Sequence, residues 1–580
     1  MKSKRILALL LSLCLMLTLG ACTSGEQQTG AGAAKDGTYS GEAKGFGGPI
    51  KVEVTVAGGA ITDVKVLENT ETQGIGSNAI EQLPPKIVET QSVALDAVSG
   101  CTVSSEALLS AVALALADSG MDMDALNTPP AANTEKGEDK TLTTDVVVVG
   151  AGLSGISAAI KAKENGADVI LVEKMSFTGG NSKLSTGVFF MGGTDIQKAA
   201  GIEDTPDAFY DYVMEKSGGK RDPVQVRLIA DKGNDALNWL KSIGVEVSDS
   251  VSAVMGCPVY RAHQGLPNAP GMIDKMTEVV KSMGIELLLD TPATALITAT
   301  DGSVTGITAT AADGGTLTIE AKSVILAAGG FAASPERIEK YWGLKNLGYA
   351  GVPGTTGEMT DAAIALGADT VDIAEPWMTP TVEVTTNTLI TSLVISKGAI
   401  LVTSNGERFC DEAASYAETS DAVFATGEET VLEIFDNHVK DAVYKVPDYI
   451  AMGVVTQADT LEELAGKIGV PAEKLAATVD AYNAAVRGEQ ADPFNREIFI
   501  EECKEGPFYS ITVKPGTIMS PGGLKIDDTF RVVKTDGTVI PGLYAVGEIT
   551  GGYRAFGYVG GDSLSHCVVS GMVAGEAASK

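Results

Sequence analysis

Residues 145–155 read DVVVVGAGLSG, and this stretch leaves few choices for the fold around it. The β-branched run at 144–149 suits a central parallel strand buried on both faces. Gly150, Gly152 and Gly155 then form G-x-G-x-x-G, the helical run ISAAIKAKENG follows, and the strand ADVILVEK brings in Glu173. In that order the first glycine permits a tight turn and the second admits a pyrophosphate to backbone N–H groups. The third lets helix and strand pack closely. The helix N-terminus adds partial positive charge, and Glu173 suits ribose hydroxyls. A lone glycine motif is a weak signal. With strand, turn, helix and acid in register, the stretch implies a dinucleotide-binding α/β domain.

At 580 residues the chain is expected to hold several domains. Its apolar content of 44% and charged content of 20% are those of folded material. The net charge of −32 argues against a nucleic-acid partner, whose phosphates need a basic surface. Residues 1–21 combine Lys2, Lys4 and Arg5 with the apolar run ILALLLSLCLMLTL and read as an export signal. They end in Leu19-Gly20-Ala21-Cys22, which resembles a bacterial lipobox. The expectation is lipidation of Cys22 and anchoring to the outer face of the cytoplasmic membrane; the alternative is plain secretion with Cys22 free. Residues 22–36 are a small, polar tether. The seven cysteines include no C-x-x-C, and there are three histidines, so no metal site is expected and any redox cofactor should be organic.

Residues 37–119 read as a small α+β domain. KVEVTVAGGAITDVKVLEN alternates on either side of Gly58-Gly59, which predicts a hairpin, and a helix is expected at 106–118, stopped by Gly120. Residues 120–141 read as a linker. The chain from 142 to 375 and from 508 to 580 is assigned to the dinucleotide-binding domain. Residues 376–507, of different texture and including LEELAGKIG and PAEKLAATVDAYNAAVRG, are assigned to an inserted α+β capping domain.

Further motifs narrow the cofactor. TGGNS at 178–182, VILAAGGF at 324–331 and GLYAVGEITGG at 542–552 together resemble the flavoprotein family of soluble fumarate reductases, urocanate reductases and 3-ketosteroid dehydrogenases. The resemblance covers residues 142–580. It implies non-covalent FAD held by Gly150, Gly152, Gly155, Glu173, Gly180, Asn181, Ser182, Gly330, Glu548 and Ser563. Residues 37–119 resemble the FMN-binding domain of electron-transfer proteins, whose S-G-A-T-x-S/T motif reads Ser99-Gly100-Cys101-Thr102-Val103-Ser104 here. That resemblance implies covalent FMN on Thr102, installed by a flavin transferase with Asp96 assisting, and Ser104 or Ser105 as the helix cap. Electrons would then run from a membrane-linked donor, a quinol or a flavin chain, through FMN and FAD to substrate.

The family's carboxylate-binding residues are replaced wherever they align. Tyr416 stands where the acid arginine is usual, and Tyr558 stands two residues before Gly560-Gly561 in place of another arginine. Thr379 and Met519 fall at the substrate histidines, and Ser392 and Ile395 at the proton-relay acid and arginine. Both tyrosines coincide with positions where 3-ketosteroid dehydrogenases carry active-site tyrosines. A phenol polarises a carbonyl well and is a poor counterion for a carboxylate. The expected substrate is therefore a small unsaturated carbonyl compound, an enone. Reduced FAD would supply hydride, Tyr416 a proton to the α-carbon and Tyr558 a hydrogen bond to the carbonyl oxygen. Three alternatives stay open: a carboxylate-specific reductase using Arg554 or Arg261, a dehydrogenase running in reverse, and an electron carrier with no substrate of its own.

Overall fold

The computed structural model describes residues 34–72, 76–98, 100–130, 137–254, 257–496 and 501–580. The export signal, Cys22, nearly all of the tether and Ser99 lie outside the described residues. Among those described, no helix is long and apolar enough to cross a membrane.

The N-terminal unit is a three-stranded antiparallel sheet of Gly37–Lys44, Pro49–Ala57 and Ala60–Glu68, covered by helices Gly76–Thr90 and Thr102–Leu116. Alternation works as the sequence predicts: Ile50, Val52, Val54 and Val56 are buried and the residues between them face outward. Gly58 and Gly59 both take positive φ, +63° and +85°, as a two-residue hairpin turn requires. The helix expected at 106–118 instead begins at Thr102, so the threonine lies in its first turn. The expected serine cap is not made, because Cys101 is the N-cap and bonds no side chain there. Ser104 turns inward to donate to Glu71 at 2.5 Å, and Ser105 accepts the Val98 N–H at 3.0 Å.

The central unit is built on the strand Lys140–Val149. It runs parallel to Val169–Val172 on one side and to Thr316–Leu326 on the other, with Glu286–Leu288 and Val539–Ala545 continuing the parallel set. Val146, Val147 and Val148 are fully buried, as a strand covered on both faces must be. Helix Leu153–Glu164 packs on the sheet, and the C-terminal helix Asp562–Ala578 packs on that helix at backbone range. A Cβ on Gly571 would strike the Ser154 carbonyl oxygen, and one on Gly575 the Ala158 carbonyl oxygen.

The capping unit differs from expectation. Its sheet is organised by Phe508–Thr517, which pairs with Val431–Asp436, Thr379–Glu383, Val455–Ala458 and Gly348–Tyr349. A boundary at 507 therefore falls just before the strand that holds the cap together. Which sheet a strand joins is a tertiary choice that local texture does not encode. Arg408 pairs with Glu412 at 2.7 Å and Asp492 at 2.5 Å, and Arg496 adds a bond to Glu412 at 3.0 Å, all buried.

The N-terminal unit touches both others. Met175, Phe177 and Val352 of the central unit are buried in the small domain's own core, and Phe46 packs against the core of the cap. Gly100, at φ +82°, makes the first contact possible, since a Cβ there would lie 2.5 Å from the Met175 methyl carbon.

One buried group makes the cap sensitive to pH. Glu433, in the middle of its strand, is fully buried with neither carboxylate oxygen hydrogen-bonded, and burial pushes it up to about 8 from 4.5. Between those values the folded protein holds a proton that the unfolded chain releases, so stability falls as pH rises. The Tm of Glu433→Gln relative to the parent should climb from about pH 5 to about pH 8. A difference that stays flat in melts across that window would refute the assignment.

Candidate functional site

A cleft enclosing about 850 Å³, open solvent at its mouth included, runs along the ends of the parallel strands. Gly150, Gly152, Glu173, Gly180, Asn181, Ser182 and Glu548 line it. Gly150 has φ +106°, and a Cβ there would meet the Ala327 carbonyl. A Cβ on Gly155 would collide with the Gly150 carbonyl oxygen, while one on Gly152 finds nothing closer than 3.7 Å. The three glycines thus divide as the motif physics requires: turn, open approach, close packing. Gly152 is also the N-cap of Leu153–Glu164 and makes no side-chain cap bond, so the N–H groups of the first turn are left for a ligand. This donor set, this open N-terminus and this volume fit a dinucleotide.

Glu173 accepts the N–H of Ala151 at 2.7 Å and of Met175 at 2.9 Å, which aims its carboxylate along the turn. Glu548 accepts from Ser520 N–H at 3.1 Å and Asn181 Nδ2 at 3.1 Å, and burial raises both acids above the usual carboxylate range. Two expected contacts stand elsewhere. Gly330 lies behind the cleft, where a Cβ would strike Ser520 Oγ, and Gly329 takes the lining position. Ser563 is not among the lining residues; it stands beside the Tyr558 phenol.

Two of the substrate candidates, Tyr416 and Tyr558, converge on one further residue, Trp377. Tyr416 is the first residue of helix Tyr416–Ala425, which Ser415 and Glu418 start with a reciprocal capping box. Its hydroxyl donates to Ser392 Oγ at 2.8 Å, and Ser392 makes no cap bond of its own. Tyr558 lies on the loop before helix Asp562–Ala578. The groups packed round its hydroxyl push the phenol up to about 12, loss of water first and the Asp562 carboxylate second. Trp377, which the sequence reading missed, sits between the two tyrosines: its ring lies 6.2 Å from Tyr416 and 6.0 Å from Tyr558, edge to face with both. The available signal was an aromatic residue two positions before Thr379. Tyr416 and Tyr558 are 43% and 37% exposed, whereas Thr379 and Met519 are buried.

Both arginines proposed for a carboxylate are committed elsewhere. Arg554 is buried, donates to the Gly547 carbonyl at 3.1 Å and lies 2.6 Å from His566 Nδ1. His566 is held neutral by burial and by that cation. Arg261 makes two 2.7 Å bonds to Asp204, also buried. The expectation that Arg554 contacts substrate is therefore corrected: its guanidinium faces inward.

Comparison with known proteins agrees with this geometry. Residues 145–564 match the FAD binding domain family and residues 45–117 match the FMN-binding domain. The urocanate reductase of Eggerthella lenta is 32% identical over 96% of this chain and 95% of its own length. The chain belongs to this family of flavin-dependent reductases. It binds FAD and FMN, and its family acts on C=C bonds. The open conformation of a flavocytochrome c3 fumarate reductase superposes with a TM-score of 0.72 at 32% identity, covering 80% of this chain and 81% of that one. The chain is 30% identical to the NADH:fumarate oxidoreductase of Klebsiella pneumoniae over 92% of its own length, but spans only 57% of that protein. A 3-ketosteroid Δ1-dehydrogenase from Sterolibacterium denitrificans shares the fold, with a TM-score of 0.64 at 21% identity over 75% of this chain and 99% of that one.

Gly155→Ala should displace the turn and release FAD. Acid precipitation of the purified variant should free little or no FAD into the supernatant, against about one per chain for the parent, while any covalent flavin stays with the pellet. Full FAD content would show that the turn tolerates a side chain.

Proposed function

We propose that this reductase saturates a C=C bond conjugated to a neutral carbonyl, an enone rather than a carboxylate. The carrying observation is that Trp377, Tyr416 and Tyr558 gather in one place, while Arg554 and Arg261 are bonded to groups of their own chain. A buried guanidinium already bonded to its own chain gains nothing by turning to a substrate acid. When bound, reduced FAD supplies the hydride. The chain's own residues do the rest. Tyr558, kept neutral at physiological pH, donates to the carbonyl oxygen and stabilises the charge that grows there. Tyr416 gives its proton to the α-carbon and regains one through Ser392, which stands where the family's relay acid is expected.

The same reading places FMN on Thr102 as a phosphoester. Thr102 is exposed in the first turn of its helix, open to a flavin transferase, and the adjoining Gly100 touches Met175, which also lines the FAD cleft. With Cys22 lipidated outside the cytoplasmic membrane, a quinol-linked or flavin-chain donor would feed FMN, and FMN would feed FAD.

Anaerobic reoxidation tests the reading. The photoreduced protein is mixed with fumarate, urocanate and cinnamate, and separately with cyclic enones including 3-keto-4-ene steroids. Enones should reoxidise it and the acids should not; reoxidation by the acids alone would overturn the tyrosine assignment. Tyr416→Phe should cut turnover by about 10²-fold or more, and Tyr558→Phe should cut kcat/KM by about 10²-fold, FAD content unchanged in both. Thr102→Ala should abolish the flavin fluorescence that otherwise survives denaturing electrophoresis.

A further inference from the structure

Tyr558 occupies a surface loop, yet its backbone is gripped from inside by one buried ion pair. Arg221 directly precedes Asp222, the N-cap of helix Pro223–Ser242. Its Nε donates to the Phe556 carbonyl at 2.7 Å, and its Nη2 donates to the Gly557 carbonyl and to Asp562 Oδ2, each at 2.8 Å. The same Asp562 oxygen accepts the Val559 N–H at 3.1 Å. Peptide groups on both sides of Tyr558 are thus bonded to a single pair whose side chains are wholly buried. The guanidinium is seated over the Tyr553 ring, 4.7 Å from its centre. Gly557, at φ +58°, lets the loop lie against Lys216 and Ser217, where a Cβ would come within 2.8 Å of the Ser217 Cα.

Stability alone is a poor explanation for this arrangement. A buried ion pair often adds no more than well-packed apolar residues would. This one also leaves Arg221 Nη1 and Asp562 Oδ1 buried without a hydrogen-bond partner. What its directed bonds accomplish is geometric: they fix the carbonyls of residues 556 and 557 and the N–H of 559, and so fix the direction in which Tyr558 leaves the chain.

We propose that Arg221 and Asp562 are positioning residues that hold Tyr558 at the distance from Trp377 where its phenol meets the substrate carbonyl. The inference rests on the reading of Tyr558 given above. Arg221 never touches substrate; it acts through the loop. Lysine keeps the charge opposite Asp562 but lacks the planar fork that reaches two carbonyls together.

A double-mutant cycle on the flavin-loaded enzyme decides the matter, with the enone that reoxidises the flavin fastest as probe. Arg221→Lys should lower kcat/KM by about 10²-fold, the scale of a misplaced reacting group, with FAD content unchanged. In a Tyr558→Phe background the same substitution should change kcat/KM by less than about twofold, because the group it positions is gone. Equal losses in both backgrounds, or no loss from Arg221→Lys alone, would overturn the proposal while leaving Tyr558 in its role. If Tyr558→Phe by itself costs nothing, the reading of Tyr558 fails first and the proposal falls with it. Should Arg221→Lys not fold, Arg221→Met combined with Asp562→Leu removes both charges together and enters the same cycle with the same expected outcomes.

Discussion

Helix Leu153–Glu164 is held at backbone contact from two sides. On one, Gly155 lies over the Gly150 carbonyl; on the other, Gly571 and Gly575 of the C-terminal helix lie over the carbonyls of Ser154 and Ala158. Contact this close depends on the absence of side chains, and it joins the first motif of the central unit to its last helix. The N-terminus of Leu153–Glu164 faces the cofactor cleft, and the loop leading into Asp562–Ala578 carries Tyr558. The cofactor cleft and the Tyr558 loop are therefore parts of one packed body, although some four hundred residues of chain separate them.

Charge is distributed on a related principle. The buried arginines described above, Arg221, Arg261, Arg408, Arg496 and Arg554, all have internal partners. They tie loops to the scaffold rather than meet ligands. Arg408 joins Glu412 to Asp492, and Arg221 joins Asp562 to the carbonyls of Phe556 and Gly557 beside Tyr558.

The small N-terminal domain is wedged rather than appended. It shares a core with Met175, Phe177 and Val352, and it sends Phe46 into the cap. Gly100, two residues before Thr102, consequently lies against Met175 of the FAD unit. Phe46 also packs this domain against the core of the inserted unit.

By itself the sequence determined the kinds of parts. A β-branched run, spaced glycines, a helix and an acid in register point to a dinucleotide site, and the Gly58-Gly59 hairpin follows from alternation and turn chemistry. Those signals are local, written within ten or twenty residues of one another. The tertiary structure alone decided that Phe508–Thr517 belongs to the cap and that Ser104 faces Glu71 rather than its helix terminus. It also decided that Trp377 joins the two tyrosines, and that Arg554 and Arg261 turn inward. Each of these choices is a competition between partners far apart in the chain. Burial and the pairing of buried charge settled them, and no stretch of sequence carries both sides of that comparison.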